Sequence, residues 1–452
     1  MKPTALITAL LVAACLDAQA ATPQNSCIPP RTLASTEALL LVEKPLDSKD
    51  ITSYTVAVDG RATKNLSKQP STVDGTWNVP ADETASAPRK WWYPYPLVDT
   101  SATYSTKSLY ASLHKIASGG RFLFGGQDVT LSGYGWQDGD GARSDFETVS
   151  GRRAAFFSWD FMNIARPDDV PFRKESDRIR RLALGAFFDG GVNSFCWHFM
   201  NPVTGGSFYD TTVRVVERIL PGGTHHAGFT AMLDKIAAYN RTLVDRNGEQ
   251  TPVIFRPWHE MDGNWFWWGR RHCSAEEFKQ LYRFTVSYLR DRCGVHNFLY
   301  AFSPDCGYNS IEEYLERYPG DEWVDIIATD NYHDFRFEEP DREKAHRKLK
   351  IISDYARSMG KVAALSETGQ NGLDDPLWFT GRLLKAIKGY PDEPVELAYA
   401  ALWRNSVHGF WSPYPGHPAE ADFCCFTAEP HVIMGPPDGC PDKYYRMDWD
   451  GR

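Results

Sequence analysis

Glu260 and Glu367 are the two residues whose settings best suit acid–base and nucleophilic chemistry, and each closes a short apolar run. The first lies in residues 252–269, Pro-Val-Ile-Phe-Arg-Pro-Trp-His-Glu-Met-Asp-Gly-Asn-Trp-Phe-Trp-Trp-Gly. Val253, Ile254 and Phe255 read as a buried strand that Arg256-Pro257 stops, because proline cannot continue a central ladder. A positive charge, an imidazole and a carboxylate therefore stand at a strand end, followed by Trp265, Phe266, Trp267 and Trp268 beside Asp262, Gly263 and Asn264. Aromatic faces next to hydrogen-bonding groups suit a sugar ring, which carries C–H groups on its faces and hydroxyls around its rim. Packing is the commoner use of any single tryptophan, yet a loop that also holds Gly263 and Asn264 resists complete burial. His259-Glu260 is not a zinc-protease motif, which needs a second histidine four residues after the first, where this chain has Gly263.

Two carboxylates so far apart in sequence meet only if the fold brings their strands together. From about residue 107, short apolar runs alternate with longer amphipathic stretches. The runs are 122–124, 154–157, 192–195, 253–255, 298–300, 324–327, 362–365 and 397–402. Between them lie helical patterns such as 274–290, where Ser274 can cap and Phe278, Leu281, Tyr282 and Thr285 recur at helical spacing. Eight such repeats predict an α/β fold, a (β/α)8 TIM barrel with an N-terminal extension; the alternative is a doubly wound open sheet. In a barrel the C-terminal ends of all the strands converge on one mouth. Every predicted end here is polar or aromatic: Gln127-Asp128, Trp159-Asp160, Trp197-His198, Arg256 to Glu260, Pro304-Asp305, Asn331-Tyr332, Ser366-Glu367 and Trp403-Arg404.

Strands four and seven lie across that mouth, so Glu260 and Glu367 are placed to flank one glycosidic bond. Retaining hydrolysis needs one carboxyl protonated for the leaving group and the other ionised to attack the anomeric carbon, with the two about 5–5.5 Å apart. Arg404 and Tyr332 are candidates to hold Glu367 ionised through charge and hydrogen bonding. This chemistry calls for no metal and no cofactor.

At these residues the chain resembles glycoside hydrolase family 26, over roughly residues 107–430. The most specific piece is Arg256 to Gly269; others are Phe124-Gly-Gly-Gln127, Ser194-Phe-Cys-Trp-His198, Tyr318-Pro-Gly-Asp321, Ser366-Glu367 and Trp403-Arg404-Asn405. The resemblance implies Glu260 as acid/base and Glu367 as nucleophile. It also implies that His259 and Tyr332 orient these groups, and that His198, Trp265, Trp403 and Arg404 line the sugar sites. Most members resemble endo-β-1,4-mannanases, and a few act on β-1,3-xylan or mixed-linkage β-glucan. The expected substrate is thus β-mannan, glucomannan or galactomannan. His259 stands where the wider clan has an asparagine that meets an equatorial 2-hydroxyl, and in mannose that hydroxyl is axial. Two departures stand out: Asp262 replaces the usual asparagine, adding a charge near the acid, and Gly126 replaces a common histidine.

The 452 residues carry a net charge of −9 without a basic block, which argues against nucleic acid and anionic membrane as partners. Aromatic residues make up 13%, with 15 Trp, an excess that carbohydrate binding would use. Residues 1–20 read as an export signal, with Lys2, an apolar core too short to span a bilayer, and Ala18-Gln19-Ala20. A secreted monomer is expected; the alternative is a lipid anchor through Cys15. Residues 21–106 form an extension of unclear structure, 107–430 the catalytic barrel, and 431–452 a tail packing on it. Apart from Cys15, eight cysteines remain, an even number compatible with disulfides in an exported chain. Cys273 and Cys293 bracket a helix too long to bridge. Cys273 and Cys306 follow neighbouring strands on one face, and a Cys273–Cys306 disulfide is predicted.

Overall fold

The computed structural model describes residues 57–58, 61–62, 95–137, 143–166, 170–435 and 444–446. The leader at 1–20, Cys15, Cys27 and Cys440 lie outside the described residues. Met1–Pro88 and Arg89–Arg452 form separate compact units. In the first, a short antiparallel pair is described, Ala57–Val58 with Arg61–Ala62. Among the described residues no helix is long and apolar enough to cross a membrane.

The second unit is built on parallel strands β1 (Phe122–Gln127), β2 (Phe156–Asp160), β3 (Val192–Cys196), β4 (Val253–Arg256), β5 (Phe298–Phe302), β6 (Ile326–Asn331), β7 (Val362–Thr368) and β8 (Tyr399–Leu402). They pair in chain order, and β8 returns to β1 with Ala400 opposite Phe124 and Leu402 opposite Gly126. That closure makes a (β/α)8 barrel and rules out the open sheet. A short ninth strand, β9 (Val432–Ile433), adds to the start of β1.

Strand periodicity explains the two cores. Leu123, Phe156, Val192, Ile254, Leu299, Ile326, Val362 and Tyr399 point into the barrel and form one cluster. Phe122, Phe157, Phe255, Phe298, Ile327, Ala363 and Ala400, one residue away, face the surrounding helices in the other. Helix α1 (Tyr104–Ser118) joins the interior cluster through Leu109, Tyr110, Leu113 and Ala117, closing the floor before the first strand begins. Tyr444 and Tyr445, from late in the chain, join it at the same floor.

Several strands run past their apolar stretch. β6 continues through Asp330-Asn331 and β7 through Glu367-Thr368, where the sequence pattern suggests loops. The rim of a barrel accommodates polar side chains facing the mouth, so the ladder need not stop where hydrophobicity does. Helix α2 (Ala275–Ser287) starts with the expected cap, Ser274 and Glu277 completing a reciprocal capping box. Gly125 has a steric reason: a Cβ there would come within 1.7 Å of the Phe156 carbonyl oxygen. Gly126 is similarly confined, its Cβ position lying 2.8 Å from the Leu402 carbonyl oxygen.

Candidate active site

The segment after β4 is placed by an unusual backbone. Trp258 and Glu260 adopt φ of 57° and 53°, a region that non-glycine residues seldom occupy. Around these turns the side chains alternate in destination. Trp258 is buried, with Nε1–H on Thr285 Oγ1 at 3.1 Å, while the Glu260 N–H donates to the Ser303 carbonyl at the end of β5, 2.8 Å away. Trp267 and Trp268 are also buried, donating to the carbonyls of Phe199 and His259, both at 2.8 Å. Of the four aromatic residues at 265–268 only Trp265 is substantially exposed, at 40%. Its ring lies over Gly263, where a Cβ would meet ring carbons at 2.4 Å, and its Nε1–H donates to Glu260 Oε2 at 2.6 Å.

Glu367 reaches the mouth through a β-bulge. Leu365 is opposite Thr329, but the next pair is Glu367 with Asp330, so an extra residue sits in β7. Ser366 and Glu367, consecutive residues, consequently both make bonds inside the barrel. Glu367 Oε2 accepts the Tyr332 hydroxyl at 2.7 Å, and Oε1 accepts from Arg256 Nη2. Arg256 is wholly buried and its other arm donates to Asp330 Oδ2 at 2.6 Å. Asp330 Oδ1 in turn takes the hydroxyls of Ser303 at 2.8 Å and Ser366 at 2.7 Å. One guanidinium thus fixes two carboxyl groups, and Tyr332 supports one of them. Burial and nearby negative charge raise the Tyr332 pKa well above normal, keeping its hydroxyl a donor.

Oxygens of Glu260, Asp330 and Glu367 all lie within 4.8 Å of one another. The three could approach a cation, but Arg256 already supplies positive charge to two of them. Burial, followed by the charges of Asp330, Glu367 and Asp305, raises the Glu260 pKa well above the ordinary carboxylate range. The Trp265 hydrogen bond opposes that rise. The two carboxyl groups are therefore unequally placed: the surroundings of Glu260 favour its protonated form, and Glu367 is paired to a guanidinium, an inequality that a two-carboxyl mechanism can use.

The carboxyl groups face a cleft of about 530 Å³ that His198, His259, Tyr332 and Trp403 also line. His198 Nδ1 meets Asp160 Oδ2 at 2.7 Å, and its Nε2 meets His259 Nε2 at 3.1 Å. His259 Nδ1 is buried with no partner, so a bond from His259 to a sugar hydroxyl would compete with its contact to His198. Arg404 does not hold Glu367: it is half exposed and pairs with Asp128 Oδ2 at 3.3 Å. Arg256 takes that place because it shares strand parity with the inward Ile254, a signal available in the sequence. Tyr209, Gln370 and Trp411 also line the cleft. They come from irregular loops, where no periodicity announces them.

Two further expectations change. Cys273 and Cys306 are both free, as are Cys196, Cys293, Cys424 and Cys425, the other cysteines among the described residues. The Cys273 thiol instead donates to the Trp268 carbonyl at 3.3 Å. The loops after β4 and β5 are tied by Asp262, whose carboxylate accepts the Asp305 N–H at 2.7 Å and the Gly307 N–H at 3.2 Å. Asp262 thus faces the neighbouring loop, and burial together with Asp305 raises its pKa to about 7. The carboxylate of that loop acting on Glu260 is Asp305.

Trp265→Phe tests the acid's setting. It removes the one hydrogen bond that favours ionised Glu260, so the alkaline limb of the pH profile of kcat/KM should move upward. An unmoved limb, measured on a short oligosaccharide, would show that the indole N–H does not tune the acid.

The sequence model of Glycosyl hydrolase family 26 matches residues 98–382. A mannan endo-1,4-beta-mannosidase of Bifidobacterium adolescentis is 32% identical over 393 residues, 81% of this chain and 38% of that protein. One from Bacillus subtilis is 31% identical over 233 residues, 49% of this chain and 59% of that protein. The chain therefore spans less than two thirds of the length of these curated relatives. Among solved structures, GH26C from Muricauda sp. MAR_2010_75 superposes with a TM-score of 0.71 at 37% identity, covering 77% of this chain and 96% of that one. The GH26 beta-mannanase BoMan26A from Bacteroides ovatus gives 0.70 at 34% identity, covering 77% and 99%.

Proposed function

We propose, from the premise that this chain belongs to glycosyl hydrolase family 26, that it cleaves β-1,4-mannosidic bonds within mannan, glucomannan or galactomannan with retention of configuration. The observation that carries this reading is the unequal pair in the cleft: a proton-holding Glu260 and an Arg256-paired Glu367, with oxygens within 4.8 Å. That spacing suits a nucleophile, whereas inverting enzymes leave roughly 6.5–9.5 Å between the carboxyl groups for a water. The mannan preference draws on the names of the relatives, mannan endo-1,4-beta-mannosidases.

In the first step Glu260 gives its proton to the glycosidic oxygen as the bond to the anomeric carbon breaks, and Glu367 Oε2 or Oε1 bonds to that carbon. Arg256 and Tyr332 hold the attacking carboxylate in line until its charge is consumed. In the second step Glu260, now ionised, takes a proton from water as the water oxygen displaces Glu367 and restores the β-configuration. Trp403, His198 and Trp265 supply the ring faces and edges beside the reacting sugar. Export through residues 1–20 belongs to the same reading, since the polymer is met outside the cell.

Reducing ends should appear much faster from glucomannan or galactomannan than from lichenan, β-1,3-xylan or carboxymethylcellulose at equal loading. If lichenan or β-1,3-xylan were cleaved faster, the mannanase reading would fall and the two-carboxyl mechanism would remain. NMR of the first products should show the β-anomer.

A further inference from the structure

Asp160, at the end of β2, sits behind the histidines that line the cleft. Its Oδ1 accepts the backbone N–H of Met162 at 2.8 Å and of His198 at 3.1 Å, and its Oδ2 meets His198 Nδ1 at 2.7 Å. A carboxylate only accepts, so His198 carries a proton on Nδ1. Burial alone would raise the Asp160 pKa, but the hydrogen bonds from His198 and the Met162 backbone hold it below the usual value.

The contact of 3.1 Å between the Nε2 atoms of His198 and His259 needs one proton between them. If His198 supplied it, His198 would be an imidazolium, and neutral His259 would have its own N–H at Nδ1, buried without a partner. If His259 supplies it, the partnerless Nδ1 is a bare nitrogen. Orphaned buried N–H groups are the rarer defect of the two. Burial and the charge of Arg256 also push the His259 pKa well below normal. The charged neighbours on either side are thus Arg256 toward His259 and Asp128 toward Asp160.

We propose that Asp160 is a positioning residue that orders the protons of the cleft histidines in one direction, His259 Nε2–H to His198 Nε2 and His198 Nδ1–H to Asp160. The neutral imidazole immediately before the acid then carries its proton on the bonded Nε2 and leaves no unpaired N–H. A charged one would favour ionised Glu260 and weaken it as a proton donor. The arrangement also fixes the His259 ring, and through it the left-handed turn that aims Glu260.

Asp160→Asn reverses the order with little change of shape. Its oxygen is still needed by two backbone N–H groups, so its amide N–H faces His198 Nδ1. The proton of His198 moves to Nε2, and His259 is driven to the tautomer with a buried, unpaired Nδ1–H. We expect kcat on soluble mannan to fall ~10–100-fold with KM changed less than about threefold, the pattern of a lost transition-state interaction. In 15N NMR of the full wild-type chain, with signals assigned by their loss in His198→Gln and His259→Gln, His198 should be protonated at Nδ1 and His259 at Nε2. Asp160→Asn should show the reverse. A wild-type His198 without a proton on Nδ1 would overturn the inference, as would an Asp160→Asn protein that reverses the tautomers and keeps its kcat. Should the variant not fold, the wild-type spectrum still decides. The kinetic arm rests on the proposed mannan hydrolysis; a wild-type protein inactive on every mannan would retire that function, while the spectra test the proton order independently.

Discussion

Glu367→Ala should lower mannan hydrolysis by several orders of magnitude while leaving substrate binding nearly intact, because the covalent route loses its only attacking group. Arg256 keeps its salt bridge to Asp330 in that variant, so the fold should tolerate it. Stereochemistry distinguishes this loss from a general disturbance. Azide entering the vacated space of Glu367→Ala attacks once and gives an α-mannosyl azide. In Glu260→Ala an aryl mannoside with a good leaving group still forms the glycosyl-enzyme, and azide then displaces Glu367 to give the β-product. The same anomer from both variants would mean that the roles are wrongly divided.

Arg256→Leu should be the most damaging substitution for the fold. It leaves Asp330 and Glu367 buried, close together and without a cation, and breaking a buried pair in this way costs ~3–5 kcal/mol. In the folded fraction the pair would relieve the repulsion by taking up a proton, and Glu367 would lose the guanidinium that holds it in line. Arg256→Lys keeps the charge but cannot span two carboxyl groups with separate arms, so activity should recover only in part. Urea unfolding and single-turnover rates would check both. An Arg256→Leu protein with unchanged stability would show that the two carboxyl groups share a proton instead of depending on the guanidinium.

The barrel was legible because each strand is apolar on both faces and ends in polar residues, and the chemical pair was legible because it sits at two such ends. What the pattern could not carry was local geometry. Simple alternation along β7 puts Ser366 inward and Glu367 outward; the bulge at Leu365–Glu367 brings both inward, and nothing in Leu-Ser-Glu-Thr announces it. The tryptophan loop was legible as a mixture, but which ring stays exposed depends on Gly263, whose missing side chain makes room for Trp265 alone. The loop tie was expected from cysteines and is made by Asp262, since backbone N–H donors leave no trace in composition. Asn240 opens the triplet Asn-Arg-Thr, the pattern of a glycosylation sequon, but it is buried and bonded to Asn297 at 2.7 Å, so glycan attachment there would require unfolding.

The floor of the barrel has a consequence for how the chain is made. α1 and β1 come early, yet β1 pairs with β8, and the Ser112 hydroxyl of α1 donates to the Tyr444 carbonyl at 3.1 Å across 332 residues. The Tyr445 hydroxyl donates to the Gly191 carbonyl at 2.6 Å. A ribosome must therefore release nearly all of this unit before its first helix and strand acquire their final neighbours. Early segments wait with apolar surface uncovered, and closure is a late event that joins distant parts of the chain at a high cost in loop entropy. Nascent chains arrested before residue 399 should be protease-sensitive throughout, with resistance arriving in one step once the last strand and the two tyrosines have emerged.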